Sequence, residues 1–276
     1  MTAQTLLPDA GVDAPARPLS PRPSLSDTLT QTSAMAWRAL KKMRRNPEQF
    51  FDVTLQPILF TAMFAYVFVG AVSGSVQAYL PLMIPGILAQ TALTACMATG
   101  TQMREDMDKG VFDRFKAMPI ARIAPLAGPM MADLLRYGIA ATITIVVGMV
   151  MGYRPEGGAF GVLAGWLLTV VSGWSLAWIF AWLGTVARSA QAVQGIGMMI
   201  MFPLTFLSNA YVPATTMPEW LQTFVTINPV SHVVTAVRDL MNGNGVTAQV
   251  GWALVACAVV VAIFAPLAVR SYSRKM

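Results

Sequence analysis

The sequence predicts an all-α polytopic membrane protein, and three observations carry that prediction. Apolar residues make up 55% of the chain and charged ones 12%, with a mean hydropathy of +0.57, too apolar for an ordinary water-soluble domain. Six apolar runs are each long enough to cross a bilayer, which takes about 20 helical residues at about 1.5 Å rise through about 30 Å of hydrocarbon. The lysines and arginines between these runs fall almost entirely on one side. The runs are continuously apolar rather than alternating, which disfavours the strands of a membrane barrel.

Residues 1–30 are rich in Pro, Ser, Ala and Thr and lack the apolar stretch of a cleavable signal peptide. A disordered cytoplasmic tail is expected there, ahead of a membrane domain over residues 31–276. From Ser33 to Arg45 the pattern predicts a helix capped by Ser33 and stopped before Pro47. Ala36, Ala39, Leu40 and Met43 share one arc, with Trp37 at its edge, while Arg38, Lys41, Lys42, Arg44 and Arg45 cover much of the other. Such a helix lies flat among lipid headgroups; the plainer alternative is a basic juxtamembrane linker.

The predicted spans run from Val53 to Val72, Tyr79 to Gln102, Leu126 to Met151, Phe160 to Val186, Ala192 to Tyr211 and Gln249 to Val269. Basic residues precede the first span, fill the loop between the second and third, follow the fourth and end the chain; only Arg154 and Arg238 lie opposite. The positive-inside rule then places both termini in the cytoplasm. The net charge of +6 is thus a topology signal, and no nucleic-acid partner is expected. Gly70 with Gly74, Gly148 with Gly152 and Gly161 with Gly165 show the small-residue spacing that permits close helix contacts.

Between the second and third spans, Met103 to Ile123 is the most charged stretch. After Arg104, Glu105 and Asp106, Gly110 interrupts the chain; Val111, Phe112, Phe115 and Met118 then recur at helical spacing before Pro119. Two phenylalanines flanked by both signs of charge suit either a groove on a soluble partner or an anchor in the interface. Beyond the fifth span, Met217 to Val225 and Val230 to Met241 each predict a short amphipathic helix, opened by Pro218 and by Asn228-Pro229. Both are too short to span, so they are read as re-entrant or interfacial helices on the outer side. Trp220 suits the headgroup level, and Glu219, His232, Arg238 and Asp239 are expected to face an outer vestibule or plain solvent.

Several chemistries are excluded. No Gly-rich loop ends in Gly-Lys-Ser or Gly-Lys-Thr, so the chain does not hydrolyse nucleotide by itself. The middles of the spans carry no ionisable residue, as a proton- or sodium-driven carrier would require. Asp133 and Arg136, one turn apart at the start of the third span, pair either as an interfacial anchor or as part of a gate. Arg188 reads as a snorkelling anchor. His232 is the only histidine, with no further zinc ligands or Ser-His-Asp grouping nearby. Cys96 and Cys257 sit within spans at no metal-ligand spacing and read as small core residues.

The passage from Pro203 to Asp239, with its Pro-rich break, Met217-Pro-Glu-Trp220, Asn228-Pro229 and Arg238, resembles the signature of type-2 ATP-binding-cassette exporter permeases. The loop from Arg104-Glu105-Asp106 to Met118-Pro119-Ile120 resembles the coupling region of the same family. Within it, the chain resembles the daunorubicin-resistance permeases of actinobacteria. The resemblance implies a plasma-membrane transport subunit, not an enzyme, working as two permeases with two ATPase subunits. The second permease is either an identical copy or a paralogue. ATP and magnesium belong to the ATPase, and this chain holds no cofactor.

The resemblance also implies roles. Ser33 to Arg45, with Trp37, Leu40, Lys41 and Arg44, becomes a connecting helix resting on ATPase and lipid. Gly110 to Met118 becomes the coupling helix, with Phe112 and Phe115 entering an ATPase groove and Glu105 and Asp106 near its basic rim. Met217, Trp220, Phe224, Asn228, Pro229 and His232 belong to the external gate. The path runs along the interface of the two permeases, with Phe60, Phe64, Phe68, Met97, Met198, Phe202 and Phe206 as candidate wall residues, or else as lipid and packing contacts. A wall of aromatics and methionines suits hydrophobic drug-like molecules or antibiotics. Lipid, glycolipid or polymer cargo, and a scaffold or sensor without transport, remain as alternatives.

Overall fold

The computed structural model describes residues 24–45, 47–72, 74–111 and 123–274, which form nine α-helices, a 3-10 turn and no strand. Helix α1 covers Leu25–Arg45, α2 Pro47–Val72, α3 Val76–Asp108, α4 Ala124–Val150 and α5 Gly158–Val186. Helix α6 covers Ala190–Phe206, α7 Glu219–Ile227, α8 Pro229–Met241 and α9 Ala248–Arg274, with the 3-10 turn at Ala214–Thr216. Helices α3, α4, α5 and α9 are each long and apolar enough to cross a membrane. Helix α6 is apolar but has 17 residues, and α2 carries an apolar stretch over Thr54–Phe68.

Helices α3 and α5 are the central pair. A Cβ added to Gly184 would lie 2.4 Å from the Gly100 carbonyl oxygen, so the backbones touch where neither residue has a side chain. Lipid is as apolar as leucine, so such contacts are held by close packing rather than by escape from water. Helix α4 packs on both, α2 on α3 and α4, α6 on α3, and α9 on α5. Helix α1 crosses the start of α4, where Gly128 lets the Met35 side chain in.

The boundaries depart from the sequence reading at three places. Helix α1 starts at Leu25, two turns before Ser33, because Ser24 and Asp27 form a reciprocal cap. The Ser24 hydroxyl accepts from the Asp27 N–H at 3.2 Å, and the Asp27 carboxylate accepts from the Ser24 N–H at 3.1 Å. Ser33 is no cap: it lies mid-helix, its hydroxyl donating to the Thr30 carbonyl at 2.8 Å. Residues 25–30, expected in the tail, are therefore helical. Residues 1–23 lie outside the described residues.

Helix α3 runs on through Asp108, so Arg104 to Asp108 is helix rather than loop. Ion pairs one turn apart, Arg104 with Asp108 and Lys109 with Glu105, support the extension. Gly110 ends it in the left-handed region at φ 65°, a conformation that costs a residue with a Cβ. Helix α6 stops at Phe206, short of Tyr211. Pro203 supplies no N–H to the preceding turn, and the Ser208 hydroxyl bonds the Thr205 carbonyl at 2.5 Å while accepting from the Ala210 N–H at 3.2 Å.

Of the spaced glycines, Gly161 and Gly165 do meet α8, and Gly157 N–H donates to the Met241 carbonyl at 2.9 Å. Gly148 takes the Ile84 side chain, whereas Gly74 and Gly152 are turn residues with φ of 71° and 106°.

Candidate functional site

Four stations follow one another along the bundle. At the end of the bundle that carries α1, this helix is tied to the α3 extension by Lys42, whose Nζ lies 2.8 Å from Asp106 Oδ1. Arg104 Nη1 donates to the Ala187 carbonyl at 3.0 Å, closing the C-terminus of α5. The charges expected to face a partner are thus all engaged within the chain: Asp106 with Lys42, Glu105 with Lys109, and Arg104 with Asp108 and Ala187. Trp37 is exposed and Leu40 half-buried, and Lys41 faces outward. The inward stripe of α1 includes Met35, Ala39 and Met43, which line a cleft of about 70 Å³ together with Arg38, Lys42 and Asp106. Val111 is half-buried. Phe112, Phe115 and Met118 lie outside the described residues, as does most of the expected coupling helix; the Arg44 side chain is likewise not described.

Deeper in, α3 and α4 share a buried polar knot. Arg136 Nη2 lies 3.0 Å from Asp133 Oδ1 and donates to the Ala95 carbonyl at 2.7 Å and the Thr99 hydroxyl at 3.0 Å. The Thr99 hydroxyl donates to Asp133 Oδ2 at 2.5 Å. Its single proton is thereby used, so the Tyr137 hydroxyl, 2.9 Å away, is the donor of their mutual bond. Asp133 and Arg136 are only 7% and 4% exposed, so the pair is buried within the protein. Desolvation of such a pair is repaid only when the remaining donors and acceptors find partners; Thr99 bonds both members, whereas Arg136 Nε is buried without a partner.

The aromatic station joins α2 to the end of α6. Phe60, Phe64 and Phe68 stack along α2, with centroids 5.9 and 5.2 Å apart. Phe64 stacks on Tyr211 at 4.3 Å, Tyr211 meets Phe206 at 5.7 Å, and Phe206 stacks on Phe202 at 4.4 Å. Phe64 is buried, while Phe202 and Met198 are exposed by 60% and 57%. Five of the seven candidate wall residues thus join one aromatic run. Met97 is apart from it, buried against Gly197 in the α3–α6 contact. Tyr211, which the sequence reading treated only as a span end, links the two halves of the run, and its carbonyl accepts from the Tyr79 hydroxyl at 2.9 Å.

The fourth station, at the opposite end from α1, is built on α8. Asn228 is buried: its Oδ1 accepts from the Val230 N–H at 2.9 Å, capping α8, and its Nδ2 donates to the Leu204 carbonyl at 2.8 Å, anchoring the helix start to α6. Pro229 occupies the first turn. His232 Nδ1 lies 2.7 Å from Gln249 Oε1, which joins α8 to α9. Met217 is half-buried, and Trp220 and Phe224 are exposed on α7.

Arg238, expected to face a vestibule, turns inward. Its Nη2 donates to the carbonyls of Leu82 at 3.0 Å and Asn209 at 2.7 Å, pinning α8 to α3 and to the chain beyond α6. Burial lowers its guanidinium to about 10, so it remains a cation at neutral pH. Asn242 completes the clamp by donating to the Pro81 carbonyl at 3.0 Å, a group left without its helical partner because Pro85 has no N–H. The sequence held one signal for this clamp: Ser231, Thr235 and Arg238 fall on one face of α8. No cluster of three metal-ligating side chains occurs among the described residues.

Comparison with known proteins matches residues 30–242 to the ABC-2 type transporter family. The chain is similar to a daunorubicin resistance ABC transporter permease protein of Streptomyces coeruleorubidus, at 41% identity over 92% of this chain and 90% of the relative. It is also similar to a doxorubicin resistance ABC transporter permease protein of Mycobacterium tuberculosis, at 30% identity over 68% and 66% of the two chains. A probable doxorubicin resistance permease of the same organism is 23% identical over 89% and 88%. With a family match over most of its length and a 41% identical relative spanning nearly all of it, this chain belongs to the ABC-2 type transporter family.

Proposed function

We propose that this chain is the permease subunit of an ATP-driven exporter that carries planar hydrophobic drug-like molecules out of a bacterial cell. Residues 31–276 form its transport domain. Helices α2, α3, α4, α5, α6 and α9 serve as six spans, with both termini in the cytoplasm. Two permeases, identical or paralogous, work with two ATPase subunits that bring ATP and magnesium; this chain binds neither. The coupling helix from Gly110 to Met118 and the connecting helix α1 take up the ATPase motion. Helices α7 and α8 close the outer side.

The observation that carries this reading is the aromatic run from α2 through Tyr211 to Phe206 and Phe202, buried at Phe64 and surfacing at the exposed Phe202 and Phe206. Stacked rings bind flat π-systems by offset contact without demanding fixed hydrogen bonds. The names of the similar permeases, which refer to daunorubicin and doxorubicin resistance, support the same cargo class.

The test is uptake into inverted membrane vesicles containing this chain and its partner ATPase, with daunorubicin as probe. Accumulation that needs ATP and both subunits is expected. Transport by this chain alone, or no ATP-dependent uptake from an assembled complex, would overturn the reading.

A further inference from the structure

Helix α6 packs on α3, and α9 packs on α5 and α8, which leaves a crevice between α6 and α9. The crevice holds a cavity of about 150 Å³, floored by α3 and α5 and roofed by Pro229 and Val230 at the start of α8. Its wall includes Leu93, Ile179, Leu204, Val233 and Val260. Ile200 also lines it and is 43% exposed, so the cavity opens sideways onto the outer face of the bundle.

The wall offers almost nothing to a polar occupant. The Thr169 hydroxyl is spent on the Gly165 carbonyl at 2.8 Å and that of Ser175 on the Val171 carbonyl at 2.8 Å. The Cys257 thiol faces the Ser172 hydroxyl at 3.6 Å. A buried water needs two to four polar partners, and apolar cavities of roughly this size stay dry and accept a small hydrocarbon. Left empty, the lining would lose its dispersion contacts on one side. A planar drug with a polar rim would bury those groups without partners, which disfavours it here. In the proposed six-span topology, on which this inference rests, the mouth, level with the apolar middles of α6 and α9, faces lipid hydrocarbon.

We propose that this cavity binds one acyl chain of a membrane phospholipid, inserted from the side between α6 and α9. The site is separate from the aromatic run and does not depend on what the protein exports. The chain fills the α9 flank of α6, leaving its aromatic flank toward α2 unaltered. Headgroup chemistry is not selected, since no charged side chain lines the cavity.

The test is photolabelling of the full chain in vesicles of phosphatidylethanolamine and phosphatidylglycerol doped with a phosphatidylcholine carrying a diazirine midway along one acyl chain. Adducts are located by peptide mass spectrometry. Adducts on Leu93, Ile179 or Val233 are expected in the unaltered protein. They should be lost in Ala256→Trp, whose indole fills the cavity, and kept in Ile263→Trp, on the exposed face of α9, which also reports that a tryptophan on this helix leaves the fold intact. Adducts confined to outward residues such as Val255 and Val259 would overturn the proposal. So would wall adducts that persist in Ala256→Trp, or competition by daunorubicin, which would mark the cavity as a cargo site.

Discussion

Thr99 on α3 and Asp133 on α4 meet at 2.5 Å, and through that bond a hydroxyl of α3 holds the carboxylate that α4 buries among the described residues. Removing the charge from one side only leaves Arg136 buried without its counter-ion. Asp133→Asn is therefore expected to destabilise the protein by about 3–5 kcal/mol, whereas replacing the pair together, as Asp133→Leu with Arg136→Met, recovers most of that loss. Thermal unfolding in detergent compares the three proteins; equal melting of the single and double variants would contradict the assignment.

Phe64 and Phe202 separate packing from path. Phe64 is buried among Phe60, Phe68 and Tyr211, so Phe64→Ala should cost about 3–5 kcal/mol. Phe202 is largely exposed, so Phe202→Ala should leave stability within about 0.5 kcal/mol while lowering daunorubicin uptake. Melting and vesicle transport, measured on both variants, check the contrast.

Arg238 holds two carbonyls with one nitrogen, and a charged donor of this kind contributes about 1.5–3 kcal/mol. Arg238→Met should lose that amount. Arg238→Lys should recover only part of it, because a flexible ammonium lacks the planar guanidinium geometry. The readout is thermal unfolding, together with protease sensitivity of the segment after α6.

Lys42 and Asp106 form a partly exposed pair, so Lys42→Glu should change stability by less than about 1 kcal/mol. Its effect belongs instead in the coupling between the two subunits. ATP hydrolysis stimulated by cargo should fall in Lys42→Glu and return in the double reversal with Asp106→Lys.

Phe115 carries the proposed contact with the ATPase. Phe115→Asp places a carboxylate where an apolar groove is expected, so co-purification of the ATPase and its stimulation should both be lost. Wild-type assembly and hydrolysis in this variant would remove the docking role.

The helices were legible because apolar run length and proline positions are local properties. Asn228-Pro229 and Gly110 ended or opened helices where their chemistry demands. The start of α1 was obscured because its Ser24–Asp27 cap lies in a stretch whose composition reads as tail. The polar knot was only half legible: Asp133 and Arg136 are one turn apart, but Thr99 is distant in sequence and reaches them only through α3–α4 packing. Arg238 misled for a related reason. An amphipathic pattern tells which face of a helix is polar, not whether that face meets water or the backbone of a neighbour.

The brevity of α6 has a mechanical outcome. Its 17 residues rise about 26 Å, several ångströms less than the usual hydrocarbon thickness. Under the proposed six-span topology α6 is a short span, and a short span is accommodated by thinning of the surrounding bilayer. A dimple in the outer leaflet beside Phe206 would shorten the last distance a departing greasy molecule must cover before it meets water.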